Sequence, residues 1–360
     1  MTAEWVVSSM AVLVGGLGYI GSQVAKDLLE RGEHVIGIEN CFSTDPVAVR
    51  RLVKDYGLDL VPGTVVSRQV LRQALRRDDI DRIYWLAAQA SGHPEAAPAR
   101  YTETTNLIGP RMMLDAAGEY GIETVVFASS LKVYGPGGPA PAMQEAASAF
   151  EKATGVKVEV IAGPTPKWIE AARMDADLIY SGSETMMSDF VTAMNGQLDS
   201  ADVIPLYLRP LSILVRPGNP KHITGFKDLL QPGIKVLVVN GAGQNGVWED
   251  AAGRLGDIRT VRALRKNIVA YPGNSALARQ MWIDRPDIDA WLIWNIWQVS
   301  NPKLAEQVAV EEPYRIYRDT GIAPTARGKK LPASQQFIDF LQGPQGAAIF
   351  QRWGWMTNGA

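Results

Sequence analysis

The sequence contains a single cysteine, Cys41, which excludes an internal disulfide framework. Its three histidines, His34, His93 and His222, are scattered and lack the spacing of metal ligands. The net charge of −2 provides no basic surface for nucleic acid or for an anionic membrane. No apolar run reaches the roughly 18 residues of a membrane-spanning helix, so we expect no insertion into a membrane. What remains is a globular protein, and a chain of 360 residues is long enough for two or three domains.

The apolar N-terminus, MTAEWVVSSMAVLVGGLGYIG, carries no Lys or Arg ahead of its apolar run. It also lacks a persuasive cleavage site of small residues. A secretory signal is therefore not expected, and the chain as encoded is predicted to be cytoplasmic.

A glycine-rich turn lies between a predicted strand and a predicted helix near the start. The strand is AVLV (11–14), the helix is SQVAKDLLERG, and the next strand, HVIGIEN, contains Glu39. Glycines let a backbone approach a pyrophosphate, and an acid about 20 residues later can accept the ribose hydroxyls. The alternative is a glycine-rich turn without a ligand. The predicted cofactor-binding residues are Gly15, Gly18, Tyr19, Ile20, Gly21, Glu39, Asn40, Leu86, Ala87 and Ala88.

Residues 11 to about 135 resemble the extended short-chain dehydrogenases, the NAD-dependent epimerases and dehydratases of sugar nucleotides. The likeness includes VLVGGLGYIGS, IYWLAAQAS (83–91), TNLIGP with Asn106, and FASSLKVYG (127–135). It implies a Rossmann fold whose LAA stretch lies beside the cofactor, and it assigns Ser130 to proton transfer. Glu39 implies NAD rather than NADP, because a carboxylate repels a 2′-phosphate.

One departure from that family bears on catalysis. The family uses a tyrosine as acid or base and a lysine four residues later that lowers its pKa. No Tyr-x-x-x-Lys occurs in this chain: Gly138 stands four residues after Tyr134, and Glu184 four residues after Tyr180. The later strands of the family are also missing. We therefore expect weak NAD binding by a truncated Rossmann half-domain, without catalysis.

The second half repeats one local pattern, in which a strand runs through small residues into a helix. It occurs at LKVYGPGGPAPAMQ, at ADLIYSGSE and at VLVVNGAGQNGVWEDAAGR. Each junction offers free backbone N–H groups at the carboxyl end of a strand, and such ends converge on a cleft in a two-lobed α/β protein. An ordinary strand-to-helix turn is the alternative for any one of them.

The predicted ligand is a small phosphate-, sulfate- or carboxylate-bearing anion, with Arg209 as its main charged contact. The alternative role for Arg209 is a surface ion pair. The alternative for Thr165, Asn274 and Ser275 is helix capping. The tryptophans are interpreted as core residues, and only Trp294 is kept as a candidate ligand contact. The predicted ligand-binding residues are Gly137, Gly138, Pro139, Thr165, Ser181, Ser183, Glu184, Arg209, Gly241, Ala242, Gly243, Gln244, Asn274, Ser275 and Trp294.

About 230 residues at the C-terminal end resemble the mature accessory colonisation factor family, AcfC-type periplasmic solute-binding proteins of the type-two, sulfate- and molybdate-binding kind. The likeness runs through LKVYGPGGPAPAMQEAASAFEKATG, IPLYLRPLSILVRPGNP (204–220), NIVAYPGNSALA (267–278), DAWLIWNIWQVSNP (289–302) and FQRWGW. It implies lobe 1 at 131–210 and 303–360, lobe 2 at 211–302, and crossings near 206–213 and 295–302. A homodimer and, in an exported form, a transporter permease are candidate partners.

The two resemblances meet without a linker at VYG (133–135), which both families share. We therefore predict an α/β chain in which residues 1–130 form a partial Rossmann domain and residues 131–360 a two-lobed solute-binding module. The leading function is binding of a small anion. The alternatives are an NAD-dependent sugar-nucleotide epimerase or dehydratase, and a fusion in which nucleotide binding modulates the solute site. The incomplete first sheet should have one uncovered apolar edge.

Overall fold

The computed structural model describes residues 11–76, 80–88, 104–128 and 130–357. The end of the IYWLAAQAS stretch, His93 and Ser129 lie outside those residues. The chain divides into two compact units, Met1–Ser129 (unit 1) and Ser130–Ala360 (unit 2), and each is described by itself.

Unit 1 is a parallel sheet in the order β3-β2-β1-β4-β5. Its strands are β1 (Ala11–Gly15), β2 (His34–Glu39), β3 (Asp59–Pro62), β4 (Ile80–Trp85) and β5 (Thr124–Phe127). Its helices are α1 (Tyr19–Glu30), α2 (Pro46–Tyr56), α3 (Arg68–Leu75) and α4 (Gly109–Glu119), the last preceded by a π-helical turn at Thr104–Ile108.

Both faces of this sheet are buried, because apolar residues of β1 alternate between them. Val12 and Val14 belong to a core shared with α1 and α2, whereas Ala11 and Leu13 pack on the side of α3 and α4. A continuous apolar strand covered by helices on both sides is typical of a doubly wound parallel sheet.

The edge formed by β5 is exposed. Val126 and Phe127 retain 41% and 51% of their accessible surface. In the part of the chain that the structure describes, β4 is the only strand that pairs with β5. The uncovered apolar edge expected from the sequence is therefore present.

Unit 2 has two lobes built on two sheets that share β9 (Ile204–Val215). The lobe 1 sheet, in the order β7-β6-β8-β14-β9, contains β6 (Leu131–Gly135), β7 (Val158–Ala162), β8 (Leu178–Tyr180) and β14 (Tyr317–Pro324). The lobe 2 sheet contains β10 (Val236–Val238), β11 (Ile268–Ala270), β12 (Ala290–Trp294) and β13 (Glu306–Ala309).

Helices cover these sheets and follow the carboxyl ends of their parallel strands. They are α5 (Ala140–Thr154), α6 (Ile169–Asp175), α7 (Glu184–Ala193), α8 (Val247–Gly253), α9 (Ile258–Asn267), α10 (Ser275–Asp284), α11 (Ile296–Ser300), α12 (Pro332–Gln342) and α13 (Pro344–Arg352). Single 3₁₀ turns occupy Thr165–Lys167, Ser200–Asp202, Phe226–Leu230, Glu312–Tyr314 and Gly328–Lys330.

The chain passes between the lobes along β9 and again before β14. Residues 204–210 of β9 pair with β14, and residues 211–215 pair with β12. The chain crosses back to lobe 1 after residue 309, which is later than the predicted second crossing at 295–302. The assignment of residues 303–309 to lobe 1 is therefore wrong. The physical reason is that β13 adds antiparallel to residues 212–215 of β9 and so completes the lobe 2 sheet.

Within the described ranges, no helix is both long and apolar enough to cross a membrane. The same residues contain no cluster of His, Cys, Asp and Glu that could hold a metal ion.

Candidate functional site

Three helix N-termini of unit 2 open onto one cavity between the lobes, those of α5, α7 and α10. The cavity and its open mouth together contain about 680 Å³ of space not filled by protein atoms. Its wall consists of Pro136, Gly137, Gly138, Pro139, Gly163, Pro164, Thr165, Gly182, Met186, Arg209, Ala242, Gln244, Asn274, Ser275, Ala276, Trp294 and Trp297.

The α5 side of this wall is made of backbone. Pro139 caps α5 without a side-chain hydrogen bond, and among the described residues the amides of Gly137 and Gly138 donate to no other group. The amide of Gly182, just before α7, is likewise without an acceptor in the described chain. Free amides at helix N-termini, together with the positive end of the helix dipole, favour an anion.

Arg209 is the only charged residue in the described wall. It is 4% exposed and lies between two indole rings, with Cζ 4.9 Å from the Trp294 centroid and 4.7 Å from the Trp355 centroid. Its Nη1 donates to the carbonyl of Asp319 at 3.2 Å, and its Nη2 donates to the carbonyl of Gly182. Its Nε is buried without an acceptor in the described chain. A guanidinium has five N–H donors, so this arrangement fixes the group and leaves donors for a ligand.

Burial lowers the pKa of Arg209 to about 9, because the charged form is desolvated. The nearby Asp319 carboxylate opposes this shift, and Arg318 adds to it. The guanidinium is therefore charged at neutral pH but carries little solvation of its own. An anion that enters the cavity supplies the counter-charge that water does not.

The lobe 2 side of the cavity contributes the polar side chains of Gln244, Asn274 and Ser275. Gln244 is buried, and its Nε2 donates to the hydroxyl of Ser275 at 2.6 Å. The side chain of Asn274 caps α10 by accepting from the amide of Leu277 at 2.9 Å, so the capping interpretation holds while the residue also lines the cavity. Thr165 lines the cavity as well, at the start of its 3₁₀ turn.

Several predicted ligand residues lie outside the wall. Ser181 joins β8 to β14, since its hydroxyl accepts from the amide of Gly321 at 3.3 Å. Gly241 has a φ of 151° and lies against the carbonyl of Gly273, so its role is close backbone packing. Glu184 is exposed at the first position of α7.

Ser183 and Gly243 form a contact between the lobes instead of contacting the cavity. The Ser183 hydroxyl accepts from the amide of Met186 and donates to the carbonyl of Gly243 at 3.3 Å. Gly243 has a φ of 75°, and a Cβ there would lie 2.8 Å from that of Met186. In lobe 2 the residues flanking Gly243, Ala242 and Gln244, line the cavity.

The sequence interpretation missed two large side chains of the wall, Met186 and Trp297. Trp297 is half-buried and lies 6.1 Å from Trp291, ring to ring, while its Nε1 approaches Gly138. Trp291 and Trp294 are buried core residues. Their spacing of three gives no signal that separates core from cavity, because Trp291 and Trp294 lie on β12 whereas Trp297 lies on α11.

Unit 1 has a separate pocket at the carboxyl ends of β1, β2 and β4. Of the predicted cofactor residues, Gly18, Glu39, Asn40, Leu86, Ala87 and Ala88 line it. The sequence interpretation missed Gly16, Ile38, Phe42, Ser43, Thr44, Gly63, Thr64, Val65 and Thr105. Gly18 caps α1 without a side chain, and a Cβ there would meet only the Thr44 hydroxyl, at 4.0 Å. The pocket thus presents an open helix N-terminus, which fits a pyrophosphate.

Glu39 anchors the loops around this pocket. Its carboxylate accepts from the amides of Leu17, Asn40 and Cys41 at 2.8, 2.9 and 2.7 Å, and from the hydroxyl of Thr44 at 3.1 Å. A carboxylate has about four acceptor sites. Ribose hydroxyls, if they bind here, replace one of these donors.

The other predicted cofactor residues are not in the pocket wall. Tyr19 and Ile20 point to solvent, at 90% and 58% exposure. Gly15 packs against the Trp85 ring, and Gly21 against the carbonyl of Gly16, where a Cβ would clash. These two glycines therefore allow close packing of strand and helix.

The residues considered for catalysis lie at the start of unit 2. Ser130 precedes β6 and is half-buried. The Tyr134 hydroxyl donates to Asp175 at 2.7 Å, and the Tyr180 hydroxyl donates to the carbonyl of Pro136 at 3.0 Å. Both tyrosines are thus held within unit 2 by their own partners.

Comparison with known proteins agrees with this division. The profile described as "Bacterial extracellular solute-binding protein" matches residues 131–356. The chain belongs to this family. The profile of the "NAD dependent epimerase/dehydratase family" matches residues 11–155.

Solved structures resemble unit 2 over most or nearly all of their length. Peb3 from Campylobacter jejuni is 35% identical with a TM-score of 0.59, covering 63% of this chain and 99% of that one. A second structure, of L-phospholactate-bound PEB3, has the same identity and coverage and a TM-score of 0.60. The sulfate-binding protein SubI from Mycobacterium tuberculosis shares the fold, with 21% identity, a TM-score of 0.54, and coverage of 64% of this chain and 88% of that one. Unit 2 therefore has a type-two periplasmic-binding-protein fold.

The curated relatives of unit 1 are enzymes that this chain matches only in part. The UDP-glucose 4-epimerase of Bacillus subtilis is 32% identical over 130 residues, which is 35% of this chain and 38% of that protein. The Erwinia amylovora enzyme is 30% identical over 136 residues, which is 37% of this chain and 40% of that protein. The chain thus spans about two fifths of the epimerases it matches.

The two profiles overlap at residues 131–155, and the structure assigns this stretch to unit 2. β6 pairs with β7 and β8 of lobe 1, and α5 packs on the same sheet. The shared VYG tripeptide is thus a strand of the solute-binding module.

Proposed function

We propose that unit 2 binds a small anion in the cleft between its lobes. The observation that carries this proposal is the pairing of Arg209, the only charged residue in the described wall, with the N-termini of α5, α7 and α10. All these groups favour negative charge, and no carboxylate of the described chain lines the cavity to compete with it.

The ligand class that fits is a small phosphate- or carboxylate-bearing acid. L-Phospholactate, which the structure of a 35% identical protein contains, combines both groups. In this cleft one anionic group would face α5, α7 and Arg209, and the other the N-terminus of α10 with Gln244 and Ser275. The apolar surfaces of Met186, Trp294 and Trp297 would accommodate the carbon skeleton.

Titration calorimetry on the full chain tests this function. We expect L-phospholactate to bind, and inorganic phosphate, sulfate and citrate to bind more weakly or not at all. Glucose serves as the neutral control. Tight binding of a neutral sugar, with failure of every anion, would refute the proposal.

A second candidate function is dinucleotide binding by unit 1 without turnover. It is favoured by the open N-terminus of α1 at Gly18 and by the match to an NAD-dependent family. The missing Tyr-x-x-x-Lys pair argues against epimerase or dehydratase chemistry. Fluorescence titration with NAD and NADP tests binding, with tighter NAD expected, and sustained epimerisation that Ser130→Ala abolishes would contradict the absence of catalysis.

The cellular setting remains a prediction. In the cytoplasm, the protein would sense or buffer the anion. An exported form would deliver it to a transporter permease. Cell fractionation with an antibody against unit 2 distinguishes these settings, and size-exclusion chromatography tests the predicted homodimer.

A further inference from the structure

Two acidic residues are neighbours behind the cleft, Asp319 in β14 and Glu184 in α7. Asp319 is 8% exposed, and its Oδ1 accepts from the amide of Glu184 at 3.1 Å. Its Oδ2 is buried and receives no donor from the described chain. The Glu184 side chain therefore begins beside the Asp319 carboxyl. Two carboxylates placed this close repel each other, and protonation of Glu184 removes that repulsion.

The charges around this pair nearly balance without Glu184. From β9, Arg209 donates to the carbonyl of Asp319, and from β14 itself comes Arg318, which forms an ion pair with Asp250 of α8. The neighbouring group from β8 is the uncharged hydroxyl of Ser181. Among the charged groups described here, two cations offset Asp319 and Asp250. The protonation state of Glu184 therefore decides whether the region behind the anion site is neutral or negative.

The pair lies close enough to the cavity for its charge to affect a bound anion. Glu184 is the first residue of α7, two positions after Gly182 of the cavity wall, and Asp319 shares Arg209 with that wall. Like charges at this range repel, more strongly where water is partly excluded.

We propose that anion binding in the cleft is coupled to proton uptake by Glu184 beside Asp319, so that Glu184 sets how affinity depends on pH. The inference rests on the proposed anion-binding function. Burial raises the pKa of Glu184 above its ordinary value, and the charge and hydrogen bond of Asp319 raise it further. A bound anion raises this pKa again, and by reciprocity protonation of Glu184 raises the affinity for the anion. Anion affinity therefore increases as pH falls through the pKa of Glu184.

Glu184→Gln is the direct test, because glutamine mimics the protonated acid in size and lacks its charge. Calorimetry of the full chain with L-phospholactate and with sulfate, from about pH 5 to pH 8, gives the affinity at each pH. Repeating each titration in buffers of different ionisation enthalpy gives the number of protons taken up. The difference between parent and variant removes any proton that the ligand itself takes up.

We expect the parent to take up a fraction of a proton that E184Q does not. At the upper pH, E184Q should bind roughly three- to tenfold more tightly than the parent, and the two should converge at the lower pH. A variant that was merely damaged would bind more weakly. Asp189→Asn, an exposed carboxylate on the same helix, is the matched control and should behave as the parent does.

Equal proton uptake in the parent and E184Q, with anion binding intact, overturns this inference and leaves the anion site standing. Failure of both probes at every pH overturns the anion-binding function and this inference with it. Should E184Q not fold, Asp319→Asn provides the same readout, because the asparagine oxygen can still accept from the amide of Glu184.

Discussion

The hydroxyl of Ser183 in lobe 1 donates to the carbonyl of Gly243 in lobe 2, and the contact depends on the missing side chain of that glycine. Gly243→Ala should push the lobes apart, because the new Cβ would lie 2.9 Å from the Ser183 hydroxyl oxygen. We expect about tenfold weaker anion binding, equivalent to about 1.4 kcal/mol. Gly246→Ala is the matched control, since Gly246 also has a positive φ, of 73°, but faces open space. Equal losses in the two variants would trace the effect to backbone strain.

Replacement of Arg209 should weaken the anion site most. A charge-assisted contact contributes about 1.5–3 kcal/mol, so Arg209→Ala should lower anion affinity by about ten- to a hundredfold. Arg209→Lys should recover part of this, because lysine keeps the charge but loses the planar fork. Calorimetry checks both, with Arg265→Ala on the exposed face of α9 as control. Because Arg209 also donates to two backbone carbonyls, thermal melts should check that each variant is folded. Unchanged anion affinity in a folded Arg209→Ala protein would contradict the proposed site.

Gly18→Ala should separate nucleotide binding from folding in unit 1. The added methyl meets no atom nearer than 4.0 Å, so the melting temperature should hold, whereas a pyrophosphate at the N-terminus of α1 would collide with it. NAD titration should therefore show loss of binding in Gly18→Ala and none in Gly118→Ala, whose Cβ also faces open space. NAD binding that survives in Gly18→Ala would place the cofactor elsewhere.

The β5 edge should limit the solubility of unit 1. A fragment of residues 130–360 should unfold cooperatively, whereas residues 1–135 should aggregate through Val126 and Phe127. Phe127→Lys should reduce that aggregation, as measured by light scattering, because a charge on an edge strand disfavours pairing with another chain. Leu114→Lys, at a residue that is 55% exposed on α4, controls for charge alone. A monomeric, well-folded 1–135 fragment would contradict this prediction.

The junctions that form the two pockets could be predicted from sequence because their signals are local. A strand, a glycine or serine, and a helix follow each other within a few residues at Gly18, Gly138 and Ser183, and the chain folds there as that order implies. Side chains that reach a site through packing of distant elements could not be predicted. Met186 faces the cavity because α7 packs on the lobe 2 loop, and β13 joins lobe 2 because its partner is β9, far away in the sequence.

The same distinction explains Glu184. The sequence predicts Glu184 as a ligand-binding residue, because it begins a helix directly after a junction of small residues. Its buried neighbour Asp319 lies on the return strand to lobe 1. The two residues become neighbours through the pairing of strands, so their proximity could not be predicted from their spacing in the sequence.

Arg209 lies near the middle of β9, the strand that both sheets of unit 2 share. Arg209 therefore lies at the hinge between the lobes, whereas the N-termini of α5 and α10 lie on lobe 1 and lobe 2. A rotation of the lobes about this strand would move the two helix N-termini much further than the Arg209 guanidinium. An incoming anion would thus meet a guanidinium that is already in its final position. Closure of the lobes would then affect the dissociation rate of the ligand more than its association rate.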